Sequence, residues 1–316
     1  MMSNFDPAVT GTPAAEAAPG QGGQTAHTAA DADAPDSAAP VLHTDRRRVQ
    51  VRRVRAGALS TGHDDDWLAE ETPVALEYNG ISHATMLASP SDLEDFALGF
   101  SLTEGIIGAP RDVRGIDVRE ECDGIVVAVE ISSACEARLK ARRRALAGRT
   151  GCGLCGVETL PEVMRDVPAV PAAAPVPLGA VLNAMARMRE RQPLHQATGA
   201  THAAGWARPD GTLMLVREDV GRHNALDKLA GALAREHPEL PGGMIVVSSR
   251  ASFEMVQKTA AARVGVLAAV SAPTALAQRL AQRLGIVLLG FTRGGDATVY
   301  AHAEKLQALS FSSLTR

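Results

Sequence analysis

Cys152 and Cys155 stand in the segment GCGLCG, flanked by Gly151, Gly153 and Gly156. Glycines permit unusual backbone angles and leave both sulfurs unshielded, which suits a loop that presents thiols to a partner. Arg142, Arg143, Arg144 and Arg149 lie just upstream, and positive charge favours the thiolate, the nucleophilic form. Three readings compete: a sulfur-handling or redox pair, half of a zinc site, or two structural cysteines. A zinc ribbon needs a second close pair, whereas Cys122 and Cys135 lie far apart around a predicted strand, where burial is the simpler explanation. Zinc deaminases place H-x-E ahead of P-C-x-x-C. Here His237-Pro238-Glu239 and His302-Ala303-Glu304 both follow Cys155, and no proline precedes Cys152. The spacing therefore argues against zinc. A thioredoxin-type pair belongs at a strand-to-helix junction of a small βαβ domain; this one follows a basic helix and precedes a proline-rich arm, which weakens that reading and leaves it open.

Three further polar segments fall where strands should end. In REDVGRHNALDKL, Arg217 to Leu229, Gly221 sits at a strand-to-helix junction, so helix-start N–H groups with Arg222 and His223 beside them could meet an anion. The plainer alternative is a capped helix, with Asp219 accepting N–H bonds and His223 packed. SSRASFEMVQKTAAA, from Ser248 to Ala262, repeats the arrangement and carries Lys258. GFTRGGD, from Gly290 to Asp296, combines Gly294 and Gly295 for close approach with Arg293 for charge and stacking; a hairpin turn is its plain alternative. Together they describe a nucleotide or phosphate pocket. Neither G-x-G-x-x-G nor G-x-x-x-x-G-K-[ST] is present, so it is not an ordinary dinucleotide or ATP site.

The elements that must carry these residues follow from periodicity. Arg46 opens a basic strand that alternates with Val49 and Val51, followed by an irregular acidic stretch ending near Trp67. Pro73 to Met86 reads as a hairpin turning at Asn79-Gly80, and a helix capped by Ser91 or Asp92 carries Leu93, Phe96, Ala97 and Phe100 on one face. Two strands joined through Asp123-Gly124 and a helix from Glu136 to Ala147 complete a smaller α+β region, residues 46–165. Residues 166–178 hold too many prolines for a regular element and read as a linker. The main domain, 179–316, alternates helices and strands, which predicts an α/β sandwich with a largely parallel sheet. Residues 1–45, rich in Ala and Pro, read as a disordered tail.

Composition limits the functions available. The 316 residues are 46% hydrophobic, enough for a sizeable core, and only 3% aromatic, which disfavours base-stacking sheets for nucleic acid. The net charge of −4 hides an asymmetry: the first 45 residues hold six acids and no Lys or Arg, so the rest carries +2. A roughly neutral body with local basic patches suits one bulky anionic ligand better than a nucleic acid or a membrane surface. No secretory signal or membrane-length apolar run is evident, and four cysteines do not make a disulfide scaffold, so a cytoplasmic protein is expected.

TPVALEYNG, SDLEDFALGFSLTEGII, GCGLCG, EDVGRHNALDK, SSRASFEMVQK and GFTRGGDATVY occur in this order. The chain thereby resembles the FdhD family, the formate dehydrogenase accessory sulfurtransferases, from about Thr72 to Tyr300. The resemblance implies a cytidine-deaminase-like α/β sandwich with a smaller added α+β domain, assembled as a homodimer and without zinc. It implies a sulfur carrier: persulfide sulfur is taken from a cysteine desulfurase on Cys152, with Cys155 as partner thiol. The sulfur passes to the bis-molybdopterin guanine dinucleotide form of the molybdenum cofactor, bound as substrate, for formate dehydrogenase. Phe291, Thr292, Arg293, Gly294, Gly295 and Asp296 would contact the guanine nucleotide, and Arg222, His223 and Lys258 are further candidates. Two other functions stay open: a thiol-disulfide oxidoreductase and a chaperone that only carries the cofactor.

Overall fold

The computed structural model describes residues 44–147, 167–171, 175–239 and 242–307. It begins with a ribbon in which β1 (Arg46–Val51) pairs antiparallel with β4 (Asp64–Ala69), while β2 (Val54–Arg55) pairs with β3 (Ala58–Leu59). The acidic stretch expected to be irregular is thus a strand. Its carboxylates face arginines, with Arg48 paired to Asp65 and Arg53 to Asp64 and Asp66, and opposite charges across an antiparallel pair favour pairing that sequence alternation alone does not predict.

β5 (Thr72–Tyr78) and β6 (Ile81–Ala88) form the expected hairpin, turning at Asn79 and Gly80, which have φ of 48° and 77°. Helix α1 (Leu93–Thr103) follows; Asp92 occupies its N-cap position but makes no capping side-chain bond. β7 (Val113–Glu121), β8 (Gly124–Ile131) and helix α2 (Ser133–Ala147) complete this unit, whose sheet order is β6-β5-β8-β7. Buried and exposed positions alternate along β5, as in a sheet covered on one face. Val74, Leu76, Val127 and Val129 pack under Phe96 and Phe100 of α1, with Cys135 and Leu139 of α2 alongside. Cys135 is buried as expected, whereas Cys122 is exposed in the β7–β8 turn.

The larger unit comprises β9 (Val176–Pro177), α3 (Leu178–Glu190), α4 (Pro193–Thr198), β10 (His202–Ala207), β11 (Leu213–Asp219), α5 (Arg222–Glu236), β12 (Met244–Val247), α6 (Phe253–Ala261), β13 (Val266–Ala269), α7 (Ala275–Leu284), β14 (Val287–Arg293), β15 (Asp296–Ala301) and β16 (Leu306–Gln307). Six strands form one sheet in the order β11-β10-β12-β13-β14-β15. Helices α5, α6 and α7 pack on one face and α3 on the other, a three-layer α/β arrangement. MIVV, VLAA and VLL are buried on both faces, the pattern of central strands. Only β12, β13 and β14 run parallel. The hairpins β10–β11 and β14–β15 add antiparallel strands at both sides, so the sheet is mixed where a largely parallel one was expected. The described part of the proline-rich segment lies against this unit: the Val170 N–H donates to Leu284 O, and β9 pairs with β16. Among the described residues no helix is long and apolar enough to cross a membrane.

The described residues form one compact unit although the two sheets have separate cores. The reason is the crossing of α1 and α5. A Cβ on Gly99 would stand 1.7 Å from Asp227 O, and one on Gly231 would stand 1.9 Å from Asp95 O. A mid-helix glycine costs about 1 kcal/mol against alanine, and here it lets two backbones touch. Gly99→Ala or Gly231→Ala should lower stability by about 3 kcal/mol or more, seen as a reduced urea midpoint; an unchanged midpoint would contradict this account.

Candidate functional site

Strand register brings the three polar segments to one end of the six-stranded sheet. His202 lies opposite Asp219, Ala204 opposite Val247, Val247 opposite Ala269, and Ala268 opposite Leu289. The Asp219–Gly221 turn, Thr201, Ser248, Val270 and Gly290 therefore stand in a row. Backbone and side chain bind the row together: Ala203 N–H donates to Ser248 Oγ at 2.9 Å, and Phe291 N–H to Ser271 O at 3.3 Å. This is the carboxyl end of the parallel strands, where open α/β sheets bind ligands.

The GFTRGGD segment is a hairpin, as its plain alternative held, and it also has the features of a contact surface. Gly294 and Gly295 turn it with φ of 60° and 92°, and Arg293 faces Asp296 across the turn. Phe291 is held at φ 53° and is 41% exposed. A non-glycine residue in this conformation is strained by about 1–2 kcal/mol, and the side chain remains partly open to solvent. Next to it Thr292 is fully buried, and its Oγ1 has no hydrogen-bond partner, an arrangement that costs about 1–3 kcal/mol.

Arg222 and His223 are the first two residues of α5. Arg222 Nε is buried without a hydrogen-bond partner, and His223 Nε2 faces Glu254 Oε2 at 3.4 Å. Beside this turn a cavity of about 550 Å³ is lined by Arg189, His195, Thr201, His202, Ser248 and Val270. Its described lining excludes residues 291–296, which stand farther along the sheet end. No motif marks Arg189, His195 or His202: they stand at the end of α3, on the short α4 and at the start of β10, and only the pairing of β10 with β12 draws them to Ser248. His195 is fixed by its N–H donating to Glu218 Oε1 and by Nδ1 bonding to Thr201 O.

Lys258 is placed differently from Arg222 and His223. It is buried, and its ammonium donates to Asp227, Glu104 Oε1 and Thr103 Oγ1 at 2.8–3.0 Å. Burial by itself would lower its pKa, but the Asp227 and Glu104 carboxylates hold it above the ordinary lysine value. All three ammonium hydrogens have internal acceptors, so Lys258 belongs to the contact between units. The strand-to-helix position of its motif resembled a ligand site because sequence does not show acceptors on α1. Asp219 likewise caps inward: Oδ1 accepts the Gly221 N–H at 2.8 Å, and Oδ2 pairs with Lys228 at 2.7 Å.

The two H-x-E sequences have structural partners. His237 lies against Trp206 with ring centroids 4.9 Å apart, and His302 bonds to Glu304 and to Gln282 O. Cys152 and Cys155 lie outside the described residues. Helix α2, which leads toward them, meets the α1 end through Arg142 Nη1 donating to Glu104 O at 3.4 Å.

Residues 69–307 match the model of the FdhD/NarQ family. The chain belongs to that family. Among its relatives, the sulfur carrier protein FdhD of Bordetella petrii is 67% identical over 264 residues, covering 84% of this chain and 95% of that protein. The sulfur carrier protein FdhD of Cupriavidus necator is 58% identical, covering 81% and 88%. A crystal structure from Desulfotalea psychrophila, assigned as a formate dehydrogenase accessory protein, shares the fold with a TM-score of 0.66 at 21% identity, over 84% of this chain and all of the other. FdhD/NarQ membership explains why the six motifs occur together, and the geometry separates those that hold the units together from those that face the sheet end.

His202 and His223 add a pH dependence. Burial, then Arg222 and His195, lower the His202 pKa below its ordinary 6.5. Burial, then Arg222, lower that of His223 against the opposing pull of Glu254. The unfolded chain therefore binds more protons as pH falls past about 6.5, and stability should decline there. Urea unfolding between about pH 7.5 and pH 5 should show a shallower decline in the His202→Gln/His223→Gln variant; equal slopes would refute this assignment.

Proposed function

We propose that this chain is a sulfur carrier that takes persulfide sulfur on Cys152 from a cysteine desulfurase and transfers it to the bis-molybdopterin guanine dinucleotide molybdenum cofactor used by formate dehydrogenase. The names of relatives matching more than four-fifths of the chain support sulfur carriage. Support for a nucleotide-bearing substrate rests on one observation: the strained, exposed Phe291 beside the unpartnered Thr292 hydroxyl, at the sheet end that also carries Arg222. Backbone strain at an exposed aromatic has a function when a planar base stacks on the ring.

In the first transfer, the Cys152 thiolate attacks the outer sulfur of the donor's persulfide. A new S–S bond forms on Cys152, the donor's S–S bond breaks, and the donor cysteine leaves as thiolate, without net oxidation. Arg222 and the α5 start would face phosphate oxygens, the Thr292 hydroxyl would pair with a polar group of the substrate, and Arg293 would stack or pair at the hairpin tip. Cys155 tunes transfer: a second thiolate attacking the Cys152 persulfide would form a disulfide and release hydrogen sulfide.

Two experiments test the reading. Incubation with a desulfurase and labelled cysteine should place persulfide on the parent and on Cys155→Ala but not on Cys152→Ala; equal loss in both variants would refute the unequal roles. Formation of a disulfide alone would favour the oxidoreductase, and an active formate dehydrogenase supported by the double variant would favour a chaperone that only carries the cofactor. Phe291→Gly relieves the strain but also removes the covered part of the ring, so it should leave stability within about 1 kcal/mol of the parent while weakening GDP binding about tenfold through loss of stacking. Calorimetry with GDP, beside thermal unfolding, reads both, and unaltered GDP affinity would remove Phe291 from the site.

A further inference from the structure

Ser89 directly follows β6 of the smaller sheet unit, yet all three of its polar groups serve the larger one. Its N–H donates to Asp219 Oδ2 at 2.9 Å, its Oγ accepts the Val220 N–H at 3.2 Å, and its carbonyl accepts from Lys228 Nζ at 2.9 Å. Ser89, Asp219 and Lys228 are each fully buried. The other Asp219 oxygen accepts from the Gly221 N–H and from Asn224 Nδ2 at 3.0 Å, and Asn224 Nδ2 also donates to Leu87 O at 2.8 Å. The turn joining β11 to α5 thus has its Val220 N–H held by Ser89 and its Gly221 N–H held by Asp219. Arg222 and His223 follow directly.

We propose that Ser89 is a positioning residue that ties the end of β6 to the Val220–Gly221 turn and so fixes where α5 presents Arg222 and His223 to the anionic substrate; this rests on the reading of the sheet end as a nucleotide site. Adhesion between the units does not require it. The Gly99–Gly231 crossing, the Arg217–Asp95 pair at 2.8 Å and the Lys258–Glu104 pair at 2.9 Å already join α1 and its C-terminal end to the larger unit. The Ser89 hydroxyl goes instead to Val220, two residues before Arg222, and its N–H to Asp219, whose other oxygen holds the Gly221 N–H. A Cβ on Gly221 would stand 2.8 Å from Asn224 Nδ2, so the turn has little room to settle differently while the knot is intact. Losing the Ser89 hydroxyl leaves the Val220 N–H without its acceptor. The turn then relaxes, and the guanidinium and imidazole shift with it.

A double-mutant cycle tests this, with GDP as probe and calorimetry as readout on the full chain. Ser89→Ala should weaken GDP binding about fivefold or more in the parent and have no further effect in an Arg222→Ala background, because the hydroxyl acts through that turn. Equal losses in both backgrounds, or affinity within about twofold of the parent, would overturn the proposal even if thermal stability falls. If Ser89→Ala does not fold, Asn224→Ala cuts the neighbouring tie of α5 to Leu87 O and Asp219 Oδ1 at the same turn and is read by the same criteria. A parent chain that binds no GDP overturns the nucleotide reading and this proposal together; a parent that binds while Ser89→Ala binds equally overturns this proposal alone.

Discussion

Two helices meet where neither has a side chain. The Asp227 carbonyl occupies the place of a Gly99 Cβ and the Asp95 carbonyl that of a Gly231 Cβ, so α1 and α5 are locked in relative height and rotation by their backbones. Everything polar between the units depends on that close approach. Thr103 reaches Asp227 at 2.6 Å, Arg217 reaches Asp95, and Ser89 reaches Asp219. A methyl group at either glycine would push the helices apart, and hydrogen bonds fall off within a few tenths of an ångström of their optimum.

Much of the charge in the motifs is therefore internal. Asp219 with Lys228, and Asp227 with Lys258, are ion pairs taken almost wholly out of water. Such pairs add little net stability, because desolvation offsets their attraction, but leaving one member without the other costs about 3–5 kcal/mol. Their consequence is selection of one arrangement. Any other placement of α5 against β11, or of α6 against α5, separates the members of a buried pair, so the pairs fix a geometry within the larger unit that apolar packing alone would leave looser.

The ligand-facing end follows from the same constraint. α5 is held through Gly231 in its middle and through Asp219, Asn224 and Lys228 near its start, so Arg222 and His223 begin a helix that cannot slide. On the far side of the sheet end the β14–β15 hairpin carries Phe291 in a left-handed conformation, supported by the bond to Ser271 O. One side of the site is thus set by contacts between units and the other by a bulged hairpin on an outer strand.

Local order was legible in the sequence. Asn79-Gly80 announces its hairpin because those residues accept positive φ, and Val49 and Val51 alternating with polar residues mark β1. The acidic β4 was misread because its order comes from arginines on β1 rather than from its own alternation. The motifs identified the family, since six segments in one order are a statement about the whole chain. What sequence could not settle was which charged residues face a ligand. Lys258 and Arg222 both sit near strand-to-helix junctions with polar neighbours, and no local property separates them. The difference is that Glu104 and Asp227 reach Lys258 across a backbone contact between distant segments, while Arg222 Nε finds no acceptor. Tertiary structure alone decided that, because the free energy of a charge depends on which groups stand within a few ångströms of it, and those came from elsewhere in the chain.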